Sequence, residues 1–261
     1  MTILDQLAEH AKSRVEHAKK IESRDCIKLK AYELPKGDFE FEKALKKKGL
    51  SYICEVKKSS PSKGIIAEDF DYISIAKDYE KAGADCISVL TEPKWFLGCD
   101  DYLREIAHEV SIPIIRKDFT VDEYMIYEAK LLGAKAVLLI VSLLCEHELK
   151  EYIRICDSLG MTALVEAHDE AEVKMALKSG ARVIGVNNRN LNDFTVDTSN
   201  SKNLKSLVSN DVIFVSESGI AGRADIKALE DAGVDAVLIG EALMKAADKE
   251  KMLRELKGEV I

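Results

Sequence analysis

Residues 82–90 read AGADCISVL, a small-residue turn at Gly83 followed by a run of apolar residues. The same pattern recurs at 132–140 (LGAKAVLLI), 179–187 (SGARVIGVN) and 232–240 (AGVDAVLIG). Each glycine follows an amphipathic helical stretch, where the left-handed backbone that ends a helix costs glycine least. The apolar runs are typical of strands that are buried on both faces. The repeat therefore predicts helices alternating with buried parallel strands.

Four further apolar runs lie between the repeats and complete a regular series. The eight predicted strands are 52–57, 85–90, 112–117, 136–141, 162–167, 183–187, 211–217 and 235–240. Eight alternating strands and helices over roughly 210 residues match the (β/α)8 barrel, which typically has about 250 residues. A doubly wound open sheet shares the alternation, but it usually carries a GxGxxG turn after its first strand, and KKSSPSKG stands here instead. We therefore predict an α/β fold, a (β/α)8 TIM barrel.

The first fifty residues precede the barrel strands. Residues 1–20 have apolar positions at a helical period, and residues 39–48 predict a second short helix after a connecting loop. This N-terminal helical extension either plugs the bottom of the barrel or covers its mouth, and the sequence slightly favours the plug. We expect a single domain over residues 1–261, with the extension at 1–50 and the barrel at 51–261.

Composition limits the partners and the compartment. The chain has 38 Lys and Arg against 46 Asp and Glu, a formal net charge of −8, which argues against nucleic acid as a main partner. No apolar run approaches the roughly 18 residues that span a membrane, and the N-terminus lacks a signal-peptide core. Six cysteines form no CxxC pattern, which suits a reducing environment. We expect a cytoplasmic protein with no membrane partner, monomeric, with a homodimer left open.

Several otherwise apolar strands end in charged residues. In enzymes with a (β/α)8 barrel, the active site lies at this carboxyl end of the strands. Glu55 and Lys57 are two residues apart and therefore share one face of the first strand. They are either a structural ion pair inside the barrel or part of a site. Lys117 shares a face with Phe119, and a lysine that points into a barrel mouth needs an anionic partner. Glu166 stands at the corresponding height of the fifth strand.

The last strands predict an anion-binding corner. Ser218 and Gly219 follow the seventh strand, and Gly240 and Glu241 follow the eighth, each pair just before a helix whose free N–H groups can bind phosphate. Tight turns explain either pair alone. Asn187 and Arg189 end the sixth strand, Ser60 lies in a hydroxyl-rich turn, and Trp95, Phe96 and Phe119 offer aromatic surface. The spacing of the histidines and cysteines does not predict a metal site.

Six segments, taken together and in this order, are similar to the indole-3-glycerol-phosphate synthase family. They are EVKKSSPSKG (55–64), IIRKDF (114–119), LVEAH (164–168), GVNNRNL (185–191), SESGI (216–220) and LIGEALM (238–244). The resemblance covers essentially the whole chain. It implies a lyase of tryptophan biosynthesis that closes the indole ring of 1-(2-carboxyphenylamino)-1-deoxyribulose 5-phosphate with loss of CO₂ and water. It also implies that no metal or organic cofactor takes part.

The resemblance further implies a role for each candidate residue. Lys117 becomes the leading general acid and Glu166 the general base, while Glu55 holds the ammonium groups and the substrate. Lys57 either pairs with a substrate anion or acts as a second acid. The remaining members of the implied site are Asn187 and Arg189 on the substrate, Ser60, Ser218, Gly219, Gly240 and Glu241 around its anionic ends, and Phe96 and Phe119 beside its aromatic ring. No role is carried over to Trp95.

Two other functions remain open from the residues alone. A Schiff-base aldolase could use Lys57 or Lys117 on a sugar phosphate. In a non-catalytic metabolite-binding barrel, some of the charged residues would be missing from the strand ends. In this sequence none of them is missing.

Overall fold

A computed structural model describes residues 2–190 and 194–259 and confirms the predicted TIM barrel. Eight parallel strands close into a barrel in which each strand pairs with its neighbours in the chain and the last pairs with the first. The strands are Ser51–Val56 (β1), Cys86–Leu90 (β4), Ile114–Lys117 (β5), Ala136–Ile140 (β6), Thr162–Ala167 (β7), Val183–Asn187 (β8), Ile213–Glu217 (β9) and Ala236–Ile239 (β10), with a small hairpin, Ser59–Ser60 (β2) and Gly64–Ile65 (β3), after β1. All eight barrel strands overlap the predicted segments.

Helices surround the barrel and cover its two ends. They are Ile3–Ile21 (α1), Arg24–Glu33 (α2), Glu40–Leu45 (α3), Tyr72–Lys81 (α4), Asp100–Glu109 (α5), Glu123–Leu131 (α6), Glu146–Leu159 (α7), Glu170–Lys178 (α8), Ser199–Lys205 (α9), Arg223–Asp231 (α10), Glu241–Lys245 (α11) and Lys249–Lys257 (α12), with a 3₁₀ turn at Val141–Leu143. Aspartates begin several of them, as where Asp71 accepts the N–H of Ser74. Gly83, Gly133 and Gly180 all have φ between 80° and 94°, the left-handed conformation expected after a helix.

Alternate residues of each strand enter two different cores. In β9, Ile213 and Val215 point into the barrel, whereas Phe214 packs against the outer helices. The same alternation places Ile53 and Ile115 inside. A side chain two residues beyond an interior apolar residue therefore lies inside the barrel as well, nearer its mouth. This geometry brings polar strand-end residues to one place.

The N-terminal extension covers both ends of the barrel. On α3, Phe41 and Leu45 are buried in the interior core, and the backbone N–H of Glu42 donates to Thr162 Oγ1 (3.3 Å) at the start of β7. This helix is the predicted plug. The prediction that the extension plugs the bottom of the barrel is wrong for α1, because Ile3 and Leu7 on this helix line the cavity at the opposite end, the mouth. The connecting loop expected before residue 39 contains a further helix, α2.

A buried charge network fixes α1 at the mouth. Arg14 binds the carboxylate of Asp118 with both terminal nitrogens (2.5 and 3.1 Å), and Thr91 Oγ1 donates to the same carboxylate. Arg116, also fully buried, pairs with Asp100 and Glu128 on neighbouring helices. The outward-facing Arg116 and Asp118 thus form salt bridges to helices. Among the residues described, no helix has the length and apolar character needed to cross a membrane.

Candidate active site

The carboxyl ends of the barrel strands open into a cavity of about 730 Å³. The structure places all thirteen residues selected from the sequence on its wall: Glu55, Lys57, Ser60, Phe96, Lys117, Phe119, Glu166, Asn187, Arg189, Ser218, Gly219, Gly240 and Glu241. Over residues 2–190 and 194–259, no group of three or more His, Cys, Asp or Glu side chains is arranged to hold a metal ion. The lining residues supply charged groups of both signs and aromatic surface.

Lys117 is the central cation of the cavity. Its Nζ lies 2.9 Å from Glu166 Oε2 and 2.9 Å from Glu217 Oε2. The three side chains come from β5, β7 and β9, and each is nearly inaccessible to solvent. Burial alone would lower the pKa of Lys117, but the two carboxylates outweigh it and raise that pKa well above its ordinary value. The ammonium group therefore stays charged at neutral pH and can donate a hydrogen bond or a proton.

The pKa values of the two carboxylates beside Lys117 are shifted in opposite directions. Burial would raise the pKa of Glu166, but the charge of Lys117 and of His168 holds it below its usual range. Burial raises the pKa of Glu217 to about 7, with repulsion from Glu166 added and Lys117 opposing. One cation between two buried carboxylates cannot fully stabilise both charges, so the group titrates as a unit. Glu166 is the ionised member that can accept a proton.

A chain of hydrogen bonds joins Glu166 to the neighbouring strands. Asn187 Nδ2 approaches Glu166 Oε1 at 3.4 Å. Its amide oxygen in turn accepts from Ser218 Oγ (2.8 Å) and from the backbone N–H of Arg189 (3.0 Å). These contacts fix the amide so that its N–H₂ group faces the carboxylate. Asn187, held by Ser218, thus contacts Oε1 of Glu166, whereas Lys117 contacts Oε2.

Glu55 and Lys57 form a direct ion pair at the end of β1, inside the cavity. Both side chains are largely buried. Gly240 lies directly behind them: a Cβ at this position would overlap Glu55 Oε1 and approach Lys57 Nζ to 2.8 Å. The absence of a side chain at Gly240 is therefore what makes room for the pair.

The predicted anion corner gathers cations around one carboxylate. Glu241 lies 2.6 Å from Lys245, 3.5 Å from Arg189 and 3.7 Å from Lys63. Nearby, Ser218 and Gly219 both have positive φ, a conformation that turns the backbone sharply at the end of β9. A phosphate in this corner would compete with Glu241 for Arg189 and find backbone N–H groups beside it.

Aromatic side chains form another wall. The ring centroids of Phe96 and Phe119 are 6.0 Å apart with a 39° tilt. Trp95 packs against the N-terminal helix α1, where its ring is nearly perpendicular to that of His10 with the ring centroids 5.4 Å apart. Buried Glu92 organises the loop by accepting the backbone N–H groups of Trp95 and Phe96. A planar ring bound beside Phe96 and Phe119 would lie near Lys117.

Sequence reasoning missed Glu217. The segment SESGI predicts Ser218 and Gly219 as site residues, but Glu217, the residue before them, points into the barrel. The alternation in β9 contained the signal, since Ile213 and Val215 are interior and Glu217 continues that series. Leu7 and Ile3 were also missed, because nothing local shows which end of the barrel α1 covers.

A family model described as indole-3-glycerol phosphate synthase matches residues 4–256. The chain belongs to this family. A relative named indole-3-glycerol phosphate synthase from Ruminiclostridium cellulolyticum is 56% identical over 257 residues, covering 98% of this chain and 99% of the relative. One from Lachnoclostridium phytofermentans is 50% identical, with 98% of both chains covered.

The indole-3-glycerol phosphate synthase fold is shared with solved barrels of low sequence identity. A 3-hexulose-6-phosphate synthase matches with a TM-score of 0.64 at 14% identity, covering 81% of this chain and all of that one. A thiamine phosphate pyrophosphorylase from Pyrococcus furiosus matches at 0.60 and 16%, covering 84% of this chain and 96% of that one. These likenesses concern the barrel alone. The protein is therefore assigned to a family of decarboxylating lyases by its sequence relatives, and its fold agrees.

Proposed function

We propose that this protein closes the indole ring of 1-(2-carboxyphenylamino)-1-deoxyribulose 5-phosphate, releasing CO₂ and water to give indole-3-glycerol phosphate. The observation that carries the residue assignments is Lys117, a buried ammonium group within 2.9 Å of each of two carboxylates. The membership of the chain in the indole-3-glycerol phosphate synthase family supports the reaction.

In the proposed mechanism, Lys117 acts as the general acid of ring closure. The aromatic ring carbon attacks the ketone carbon of the sugar chain, and negative charge develops on the carbonyl oxygen. A buried ammonium group stabilises that charge and delivers a proton to the oxygen. The carboxylate of the substrate then leaves as CO₂, and its bonding electrons return to the ring system. Phe96 and Phe119 would hold the ring beside the ketone.

Loss of water needs a base and an acid at the same centre. Glu166 is ionised and lies against Lys117, so it is placed to remove a proton while the new hydroxyl group departs. Lys57, paired with Glu55, lines the same cavity. It would serve as a second cation, either for the substrate carboxylate or for the departing hydroxide.

The phosphate end of the substrate is assigned to the corner around Arg189. Ser60, Ser218, Gly219 and Gly240, which all line the cavity, are assigned to the phosphate together with Arg189. Arg189 would exchange its contact with Glu241 for the phosphate, and backbone N–H groups would complete the site. We further propose that the chain acts in the cytoplasm as a monomeric barrel domain (51–261) with its extension (1–50).

The direct test is to incubate the purified protein with the carboxyphenylamino-deoxyribulose phosphate and follow indole fluorescence. We expect product to accumulate, with CO₂ released in equal amount. A folded protein that forms no indole product would contradict the proposal.

A Schiff-base reaction is tested separately. A nucleophilic lysine must be neutral, whereas the raised pKa of Lys117 keeps it protonated. Borohydride added during turnover should therefore leave the protein mass unchanged. A reduced adduct on Lys117 or Lys57 would overturn the mechanism.

A further inference from the structure

His168 occupies a position between two carboxylates directly behind Glu166. It follows β7, and its side chain is only 21% exposed. Its Nδ1 lies 3.1 Å from Glu172 Oε2, and its Nε2 lies 3.5 Å from Glu166 Oε1. The mechanism above does not use this imidazole.

The ring is fixed by the helix that follows it, α8. Glu172, on the first turn of α8, accepts the backbone N–H of His168 (2.8 Å) with the same oxygen that faces Nδ1. Asn200 on α9 donates to the carbonyl oxygen of His168 (3.0 Å). Backbone and ring are therefore both held. Nε2 is buried with no hydrogen-bond partner among the described residues, and the nearest carboxylate oxygen, Glu166 Oε1, lies 3.5 Å away, within ion-pair distance.

The contacts on Glu166 divide between its two oxygens. Lys117 holds Oε2, whereas Asn187 and His168 approach Oε1. A carboxylate contacted at both oxygens from different strands keeps a fixed plane, which a proton acceptor requires. We propose that His168 is a positioning residue for Glu166, fixing the carboxylate of the general base through an imidazole that Glu172 holds. This inference rests on the proposed function.

The charge around the ring supports the protonated form. Glu172 faces it from α8, Glu166 from β7 and Glu217 from β9, with Lys117 beyond Glu166 as the opposing cation. Burial alone would lower the pKa of His168, but the contacts with Glu172 and Glu166 outweigh it and raise the pKa above 6.5. Only the imidazolium carries an N–H group on both nitrogens and a positive charge, so only that form attracts both carboxylates.

The first test is the pH profile of His168→Gln. A neutral amide removes the positive charge that holds the pKa of Glu166 down, so the acid limb of kcat/KM should move to higher pH. We expect kcat to fall about 10- to 100-fold through loss of orientation, with KM within about twofold because substrate contacts are kept. His108→Gln, on an exposed position of α5, is the control and should leave both parameters unchanged.

Glu172→Gln supplies a second variant if His168→Gln does not fold. Its amide oxygen can still accept the backbone N–H of His168, but the charge that favours the imidazolium is gone. We expect the same direction of change in kcat and in the acid limb, at a smaller size. An unchanged acid limb together with a lower thermal midpoint would show a merely structural role and would overturn the inference.

An activity-independent measurement separates this inference from the proposed function. The titration of the His168 imidazole, followed by NMR, should have a midpoint above 6.5 in the wild-type protein and a lower one in Glu166→Gln. A wild-type protein that makes no indole product contradicts the proposed function. An active enzyme in which Glu166→Gln leaves the His168 midpoint unchanged contradicts the role of His168 alone.

Discussion

Glu217 Oε2 is 2.9 Å from Lys117 Nζ, while Glu217 Oε1 is buried against Gly185 with no hydrogen-bond partner among the described residues. A Cβ on Gly185 would overlap that second oxygen. One half of the carboxylate is thus strongly bound and the other half is desolvated without compensation. Such a group retains its proton more readily than an exposed glutamate.

This arrangement predicts a pH dependence of stability. The pKa of Glu217 is raised from 4.5 to about 7, so between these values the folded state binds its proton more tightly than the unfolded state does. The stability that this group contributes must then fall as pH rises through that window. Relative to wild type, Glu217→Gln should gain about 1–3 kcal/mol in unfolding free energy between about pH 5 and pH 7.5, measured by urea denaturation.

Glu166→Gln is a comparison variant, because the pKa of Glu166 is shifted in the opposite direction to that of Glu217. The pKa of Glu166 is lowered, so the wild-type carboxylate contributes stability that is present above 4.5 and lost as pH falls below it. Because loss of the Glu166 charge also removes its repulsion of Glu217, this variant should show a smaller relative gain between about pH 5 and pH 7.5 than Glu217→Gln does. A Glu217→Gln curve parallel to wild type would mean that this carboxyl group is not perturbed.

Lys117→Ala and Glu166→Gln should each lower kcat about 10²- to 10⁴-fold, because each removes a group assigned to proton transfer. Lys150→Ala, on an exposed position of α7, is the matched control and should keep full activity. Indole fluorescence measures the rates, and circular dichroism checks the fold. Wild-type rates in either variant would remove that residue from the mechanism.

Gly240→Ala tests the space behind the Glu55–Lys57 pair. The new methyl group must displace that pair, so we expect kcat/KM to fall about 10- to 100-fold while the barrel remains folded. At Gly222 nothing lies within 4 Å of an added Cβ and φ is extended, so Gly222→Ala is the control. Equal activity of the two variants would show that the ion pair tolerates displacement.

Arg14→Gln tests the attachment of α1 to the barrel. Asp118 is fully buried and would lose its bidentate partner, keeping Thr91 and the more distant Arg116, so we expect a destabilisation of about 1–3 kcal/mol. KM should rise as well, because Ile3 and Leu7 line the cavity from the same helix. Lys12→Gln, which breaks an exposed pair with Glu9, should change neither quantity.

Much of the fold could be predicted because it depends on local backbone geometry. Short stretches of consecutive residues contain the signals for this geometry: the 3.6-residue period of helices, the two-residue period of strands and the glycines after helices. The same periods identified Lys117, Glu166 and Asn187 as residues at the mouth. The two-residue period of β9 also places Glu217 on the inner face, two residues beyond Val215.

The placement of the extension could not be predicted in the same way. Helices α1 and α3 both carry apolar faces, and nothing in either face says which end of the barrel it covers. That choice depends on contacts between distant residues. Arg14 and Asp118, 104 positions apart, hold α1 at the mouth, whereas Glu42 meets Thr162 at the bottom, 120 positions away.

The sequence alone determined the alternation of helices and strands, and with it the residues that end each strand on the inner face. Only the tertiary structure decided that Lys117 meets Glu166 and Glu217, which lie 49 and 100 positions further along the chain. Closure of the barrel brings these strand ends together within hydrogen-bonding distance. The pKa values of the three side chains depend on this proximity, because burial and charge act over a few ångströms of space rather than over positions in the chain.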